Sequence, residues 1–183
     1  AGVVLLIVLS LIAGLPIPLV PVQLLFLNLV ANGIQDVALA FEPEEGNVLN
    51  RPPRASNERI FDRIMIERTA VAAAVIGGLG FTTFVWLLDS GFSEVAARNH
   101  LLLLIVLFQL VHIGNARSET SSIFRLSPLK SPILLAGTTA AFGIFLAAQY
   151  LPVAQTVLET APIAFDQWLM LAGIALTSTG TTG

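Results

Sequence analysis

The stretch that decides the fold runs from Leu15 to Phe41 and reads LPIPLVPVQLLFLNLVANGIQDVALAF. Its length suffices to cross the hydrocarbon core of a bilayer, which takes about 20 helical residues. Within residues 24–41 of this stretch, the polar side chains are Asn28, Asn32, Gln35 and Asp36. A carboxylate at membrane depth costs at least about 2.5 kcal/mol, so this Asp favours a functional role. At about 100° per residue the four side chains share one helix face, which predicts a path for a cation.

The composition places the whole chain in a membrane. Of its 183 residues 55% are hydrophobic and 11% are charged, and the mean hydropathy is +0.84. Soluble domains carry about 25% charged residues, so these values indicate a polytopic membrane protein. The chain contains no cysteine, which excludes disulfides and thiolate metal sites within it. We expect the lipid bilayer as a partner and no nucleic acid.

Apolar runs separated by charged segments predict an all-α bundle of six transmembrane helices. Their approximate bounds are 1–15, 20–41, 68–88, 100–116, 131–150 and 165–178. The first run has no charged leader and no small-residue cleavage site before Pro16, which disfavours a signal peptide. We expect instead a helix cut part-way, and therefore a fragment of a longer protein.

Basic residues predict the orientation. Eight of the nine lie in two loops, one before the third run and one before the fifth: Arg51, Arg54, Arg59, Arg63, Arg68, Arg117, Arg125 and Lys130. Short loops rich in Lys and Arg stay on the cytoplasmic side, so six spans place both chain ends in the cytoplasm. Small residues every four positions on the third run, at Ala70, Ala74 and Gly78 with Ala73 and Gly77 beside them, predict close helix packing.

Several blocks are familiar. They are Pro21-Val-Gln-Leu-Leu-Phe-Leu-Asn-Leu-Val-Ala-Asn-Gly, then Ala-Leu-Ala-Phe-Glu-Pro, and Asn50-Arg-Pro-Pro-Arg. Together they resemble the sixth helix and following loop of type II cation-transporting P-type ATPases, of the calcium-pump kind. Gly14-Leu-Pro, Asn115-Ala-Arg-Ser-Glu and Gln167-Trp-Leu-Met resemble the end of the fifth helix, the close of the eighth and the start of the tenth. The resemblance implies that residues 1–183 form the C-terminal transmembrane cation-transport domain.

The resemblance also implies what surrounds this domain. The family's phosphorylation motif, nucleotide pocket and first four helices do not occur in these residues, so we expect no ATP hydrolysis by the chain alone. The full-length pump would use ATP and Mg²⁺. Its actuator, phosphorylation and nucleotide-binding domains and helices one to four would be the partners. The lack of cysteine and of a long extracellular loop favours a prokaryotic plasma membrane.

The resemblance implies a set of ligand positions. Asn28 stands where the family has a sixth-helix Asn ligand, while Asn32 replaces an Asp of the calcium pumps. Asp36 stands where sodium-potassium pumps carry a second acidic residue. Gln109 and His112 lie near the position of an eighth-helix ligand. The implied cation path contains Asn28, Asn32, Gln35, Asp36, Gln109 and His112, with Asn28, Asn32 and Asp36 as metal ligands.

The identity of the ion stays open. Calcium takes six to eight oxygen ligands, often including several carboxylates, and this chain offers one intramembrane carboxylate, which favours a monovalent ion. A Glu on the absent fourth helix and unwound carbonyls near Gly33 would complete a calcium shell. Gln35 and His112 also suit plain hydrogen bonds between helices, and His100 is expected at the interface.

The loop Arg51-Pro52-Pro53-Arg54 is open to two interpretations. The resemblance implies contact with the phosphorylation domain, which would couple ATP hydrolysis to helix movement. The positive-inside pattern accounts for its arginines equally well. Two other functions compete with the pump: a passive channel or secondary transporter, which would need no nucleotide, and a structural scaffold, which leaves Asp36 unexplained.

Overall fold

The structure, a computed structural model, describes residues 1–34, 37, 40, 63–116 and 132–177. Every regular element within these ranges is helical and none is a strand, so the all-α prediction is confirmed. The elements are α1 (Gly2–Ile12), α2 (Pro21–Phe26), a π-helical segment π1 (Leu27–Gly33), α3 (Arg63–Asp89), α4 (Glu94–Ala116), α5 (Pro132–Tyr150), α6 (Pro152–Leu158) and α7 (Phe165–Thr177).

Each of the six predicted apolar runs contains a helix, but these helices differ in length. Among the described residues, Met65–Asp89 is the one helix that is by itself long and apolar enough to cross a bilayer. Leu135–Tyr150 and Pro152–Leu158 together meet the same criterion, with a 91° bend between them. Gly2–Ile12 and Pro21–Val30 are apolar but shorter. The helices are therefore established, and the six-span topology stays a prediction.

Helices α1 and α3 pack closely, and they do so through glycines. A Cβ atom at Gly77 would lie 2.9 Å from the carbonyl oxygen of Gly2 and from the Leu5 side chain, while one at Gly78 would have nothing within 4 Å. Of the two neighbouring rows of small residues in the sequence, the close contact therefore follows the one that contains Gly77. Spacing alone does not identify which row makes the contact, because both rows have the same period.

Helix α4 lies at the centre of the described bundle. Its residues 101–106 are all buried, and so is Phe108. It contacts α3, α7 and π1. The unbroken apolar run LLLLIV has no polar face to place outside the bundle, which accounts for its burial on all sides. An aromatic cluster beside it joins Phe26, Phe142, Phe145 and Trp168.

Three connections meet at one end of this bundle, which we call the loop end. They are the α1–α2 turn, the α3–α4 turn and the α5–α7 connection, which contains α6. Arg98 Nε donates to the Ile17 carbonyl at 2.8 Å, and Asn99 Nδ2 donates to the Ala161 carbonyl at 2.5 Å. The same three connections are predicted to face away from the cytoplasm.

Helix α6 was not predicted from the sequence. Pro152 occupies its first turn, where the missing N–H costs nothing. Glu159 ends it in a left-handed conformation with φ 51°. Seven residues are too few to give a helical period, so the sequence shows only a connection between two apolar runs.

Candidate functional site

The π-helical segment π1 holds two of the predicted cation ligands, Asn28 and Asn32. A π-helix bonds residue i to i+5, which widens the turn, and such segments are rare and occur frequently at functional sites. The rotation of about 100° per residue assumed from the sequence therefore does not hold across Leu27–Gly33. The backbone near Gly33 is π-helical and not unwound. Sequence patterns miss this change because it alters hydrogen bonding and not residue type.

Segment π1 is seated against α4 and α5. Leu27 is buried, and the ring of Phe26, just before it, lies 6.3 Å from that of Phe145 on α5. Asn28 follows on an exposed face of the described helices. Leu27 thus faces the bundle, whereas Asn28 and the neighbouring Leu29 are exposed.

Gln109 supplies the second described position of the predicted path. It lies on α4, and its Oε1 atom is buried with no hydrogen-bond partner among the described residues. A buried acceptor without a partner costs about 1–3 kcal/mol. An amide oxygen is also one of the oxygen ligands that hard cations accept. Gln109 therefore offers a candidate ligand atom inside the described bundle.

The other predicted residues are described only in part or not at all. The structure describes the backbones of Asn32 and His112, which are helical in π1 and α4, but not their side chains. Gln35, Asp36 and the loop Arg51-Pro52-Pro53-Arg54 lie outside the described residues altogether. Within the described ranges no group of three or more His, Cys, Asp or Glu side chains could hold a metal ion. The grouping of the six predicted residues stays a prediction.

A network of amide side chains, three of them buried and one half-buried, lies at the loop end and was not predicted from the sequence. We call it the amide clasp, and it consists of Gln23, Asn99, Gln149 and Gln155. Gln23 Nε2 donates to the Leu158 carbonyl at 2.9 Å, and Gln149 Nε2 donates to Asn99 Oδ1 at 3.1 Å. Gln155 Nε2 donates to the Gln149 carbonyl at 2.6 Å. The clasp therefore links α2, α4, α5 and α6.

A further polar contact at the same end joins α4 to α7. The two ring nitrogens of His100 lie 2.7 Å from the Ala96 carbonyl and 2.9 Å from Gln167 Oε1. The His100 side chain is buried and also meets the ring of Phe92 edge-on. Helix α7 therefore covers this face of α4, and the expected position of His100 at the membrane interface stays a prediction.

The sequence does contain a feature that would have indicated the clasp. Gln23, Asn99 and Gln149 each lie within three residues of the end of a predicted apolar run. Amides at such positions hydrogen-bond across helix interfaces. Nothing in the sequence identifies their partners, because these include backbone carbonyls in α6 and in the connection after it.

Comparison with known proteins identifies the chain. The family model described as "Cation transporting ATPase, C-terminus" matches residues 16–182. The chain belongs to this family of cation-transporting ATPases. The resemblance noted in the sequence is therefore confirmed, and the match includes α2, π1 and all later helices.

Relatives of this ATPase region carry similar names. The chain is 30% identical over 171 residues to the "Probable cation-transporting ATPase F" of Mycobacterium bovis, which covers 93% of this chain and 19% of the relative. It is 29% identical over 175 residues to the "Calcium-transporting ATPase" of Bacillus subtilis, covering 95% and 20%. It is 31% identical over 173 residues to the mouse "Calcium-transporting ATPase type 2C member 2", covering 93% and 18%. The chain thus spans about a fifth of the length of these ATPases.

Proposed function

We propose that the chain is the C-terminal membrane module of an ATP-driven cation pump and forms part of its ion-binding and translocation path. The observation that carries this proposal is segment π1, a rare backbone form that holds Asn28 and Asn32 inside the family-matched region. In this proposal six spans cross the membrane, both ends are cytoplasmic, and the loop end faces the other side.

The depth of the polar groups supports a shared path. Gln23 and Asn99 belong to the clasp at the loop end. Asn32 comes nine residues after Gln23, and Gln109 comes ten residues after Asn99. At about 1.5 Å per α-helical residue, Gln109 lies on the order of 15 Å from the loop end. Asn32 lies somewhat nearer to that end, because the wider turns of π1 rise less per residue. The distance for Gln109 is about half of a hydrocarbon core of roughly 30 Å, where transporters bind their ions.

The exposure of Asn28 supports a site shared with other helices. A polar side chain on the outer face of a membrane helix is unfavourable in lipid and favours contact with protein. The relatives are about five times as long as this chain, which leaves room for helices that would cover this face. We propose that Asn28 and Asp36 bind the ion together with groups from those helices.

Calcium is the first ion to test, because two of the relatives are named calcium-transporting ATPases. A monovalent cation is the second, because one intramembrane carboxylate suits a single charge. We propose that the full-length pump uses ATP and Mg²⁺ through its phosphorylation, nucleotide-binding and actuator domains. The loop Arg51–Arg54 would contact the phosphorylation domain.

The test uses the complete polypeptide that contains this chain, reconstituted in liposomes. ATP hydrolysis is measured against calcium, sodium, potassium, magnesium and manganese. We expect one cation to stimulate hydrolysis, and the stimulation to be lost in Asp36→Asn. Thr82→Ala is the matched control, because the exposed Thr82 hydroxyl bonds to carbonyls of its own helix, at Gly78 and Leu79.

Two results would count against the pump. Ion flux without nucleotide, and without cation-stimulated hydrolysis, would indicate a channel or secondary transporter. Stimulation that survives in Asp36→Asn with unchanged ion dependence would remove Asp36 from the path.

A further inference from the structure

We propose that the amide clasp fixes the start of α2 and thereby positions the cation ligands of π1, so that Gln23 is a positioning residue of the ion path. This inference rests on the proposed pump function. Its physical basis is a set of buried and part-buried hydrogen bonds at the loop end, which is the opposite end of α3 from Arg63 and Arg68.

Both the oxygen and the nitrogen of the Gln23 amide form hydrogen bonds. Its Oε1 accepts the Val20 N–H at 3.2 Å, which closes the first turn of α2, and its Nε2 donates to the Leu158 carbonyl at 2.9 Å. The side chain is fully buried. A single side chain therefore sets both the entry of the chain into α2 and the contact of α2 with α6.

Helix α6 is also held in place by hydrogen bonds to α4 and α5. It lies at 91° to α5, so continuation of α5 does not fix its place. Asn99 binds the Ala161 carbonyl at 2.5 Å just beyond α6, and Gln155 ties α6 to the end of α5 through the Gln149 carbonyl at 2.6 Å. Gln23 thus bonds to a helix that α4 and α5 anchor.

The turn before α2 is fixed independently. Arg98 Nε donates to the Ile17 carbonyl at 2.8 Å, and its Nη2 binds Glu94 at 3.0 Å. Arg98 and Asn99 are neighbours on α4, so the same turn of α4 holds the α1–α2 turn and the connection after α6. Both sides of the α2 start are therefore attached to α4, either directly or through α6.

The placement of Gln23 determines that of Asn28, because a continuous helical backbone joins the two residues. Five residues separate them, or about 7.5 Å, and π1 begins directly after α2. The residues between them include Leu24, Phe26 and Leu27, which pack against the core of the described bundle. A shift of the α2 start would therefore move the Asn28 oxygen relative to α4 and α5.

The test is Gln23→Met in the full-length pump, which keeps the side-chain length and removes both hydrogen bonds. We expect the half-saturating concentration of the stimulating cation to rise about tenfold, with the maximal rate of hydrolysis nearly unchanged. Gln23→Glu keeps an acceptor for Val20 but loses the donor to Leu158, and we expect the same direction of change.

Gln167→Met is the matched control. It removes the 2.9 Å contact with His100 at the same end of the bundle, but this contact joins α4 to α7 and does not involve α2. We expect it to lower the melting temperature while leaving the half-saturating cation concentration unchanged. A merely structural clasp would make the Gln23 and Gln167 variants alike in both measurements.

The outcomes separate this inference from the proposed function. A wild-type protein without cation-stimulated hydrolysis refutes the pump. A stimulated wild type with the same half-saturating concentration in Gln23→Met overturns the positioning role alone. If the Gln23→Met protein does not accumulate in cells, Gln155→Met is the second variant to measure. It loosens α6 and leaves the Gln23 side chain intact. An unchanged half-saturating concentration in that variant likewise overturns the inference.

Discussion

The carbonyl oxygen of Gly2 lies against Gly77, so close that a Cβ atom at Gly77 would approach it to 2.9 Å. This contact brings the backbones of α1 and α3 together, with the Leu5 side chain beside it. Close approach of this kind favours helix association in lipid, where burial of apolar surface supplies little driving force.

Gly77→Ala is therefore expected to destabilise the membrane domain. The added methyl group meets backbone as well as the Leu5 side chain, and overpacking of this kind costs about 1–3 kcal/mol. Gly78→Ala is the control, since a Cβ atom there meets nothing within 4 Å. Thermal unfolding in detergent measures both, and equal melting temperatures would show that α1 and α3 can separate enough to admit the added methyl group.

Gln109→Leu is expected to have opposite effects on stability and on ion dependence. Without cation it removes a buried acceptor that has no partner among the described residues, which should raise stability by about 1–3 kcal/mol. If Gln109 Oε1 binds the ion, the half-saturating cation concentration should also rise. Thermal unfolding and cation-dependent hydrolysis measure the two effects. A gain in stability with unchanged ion dependence would remove Gln109 from the path.

Asn99→Leu is expected to loosen the α5–α7 connection. It leaves the Ala161 carbonyl and the Gln149 amide without their described partner, at a cost of about 1–3 kcal/mol. Limited proteolysis should then cut within residues 151–164 faster than in the wild type. Thr156→Val is the control, because the exposed Thr156 hydroxyl bonds to the Pro152 carbonyl of its own helix. Equal cleavage rates in both variants would contradict the role given to Asn99.

Arg98→Ala is expected to cost more stability than Glu94→Gln. Arg98 donates to the Ile17 carbonyl from a side chain that is 15% exposed, whereas its ion pair with Glu94 has a partner that is 56% exposed. An exposed ion pair contributes about 0–1 kcal/mol, so most of the loss should come from the Ile17 bond. Melting temperatures of the two variants provide the comparison. A larger loss in Glu94→Gln would make the ion pair the dominant contact.

The sequence was most informative where a long pattern repeats. Each predicted apolar run contains a helix, and the unbroken apolar run 101–106 is fully buried, as an apolar helix without a polar face must be. The blocks around Pro21 and Asn50 were enough to indicate the family, because they depend on local residue order alone. The choice of Asn28 and Gln109 as predicted path residues also came from the sequence.

Other features were decided by tertiary structure. The widened turn of Leu27–Gly33 arises where the segment packs on α4 and α5, and no residue pattern distinguishes it from an α-helix. The bond from Gln23 to Leu158 spans 135 residues and ends on a backbone carbonyl that any residue would provide. The sequence by itself determined the helices and the family, because both follow from local composition and order. Only the tertiary structure decided which glycine row touches and which amides pair, because those depend on the rotation and distance between helices.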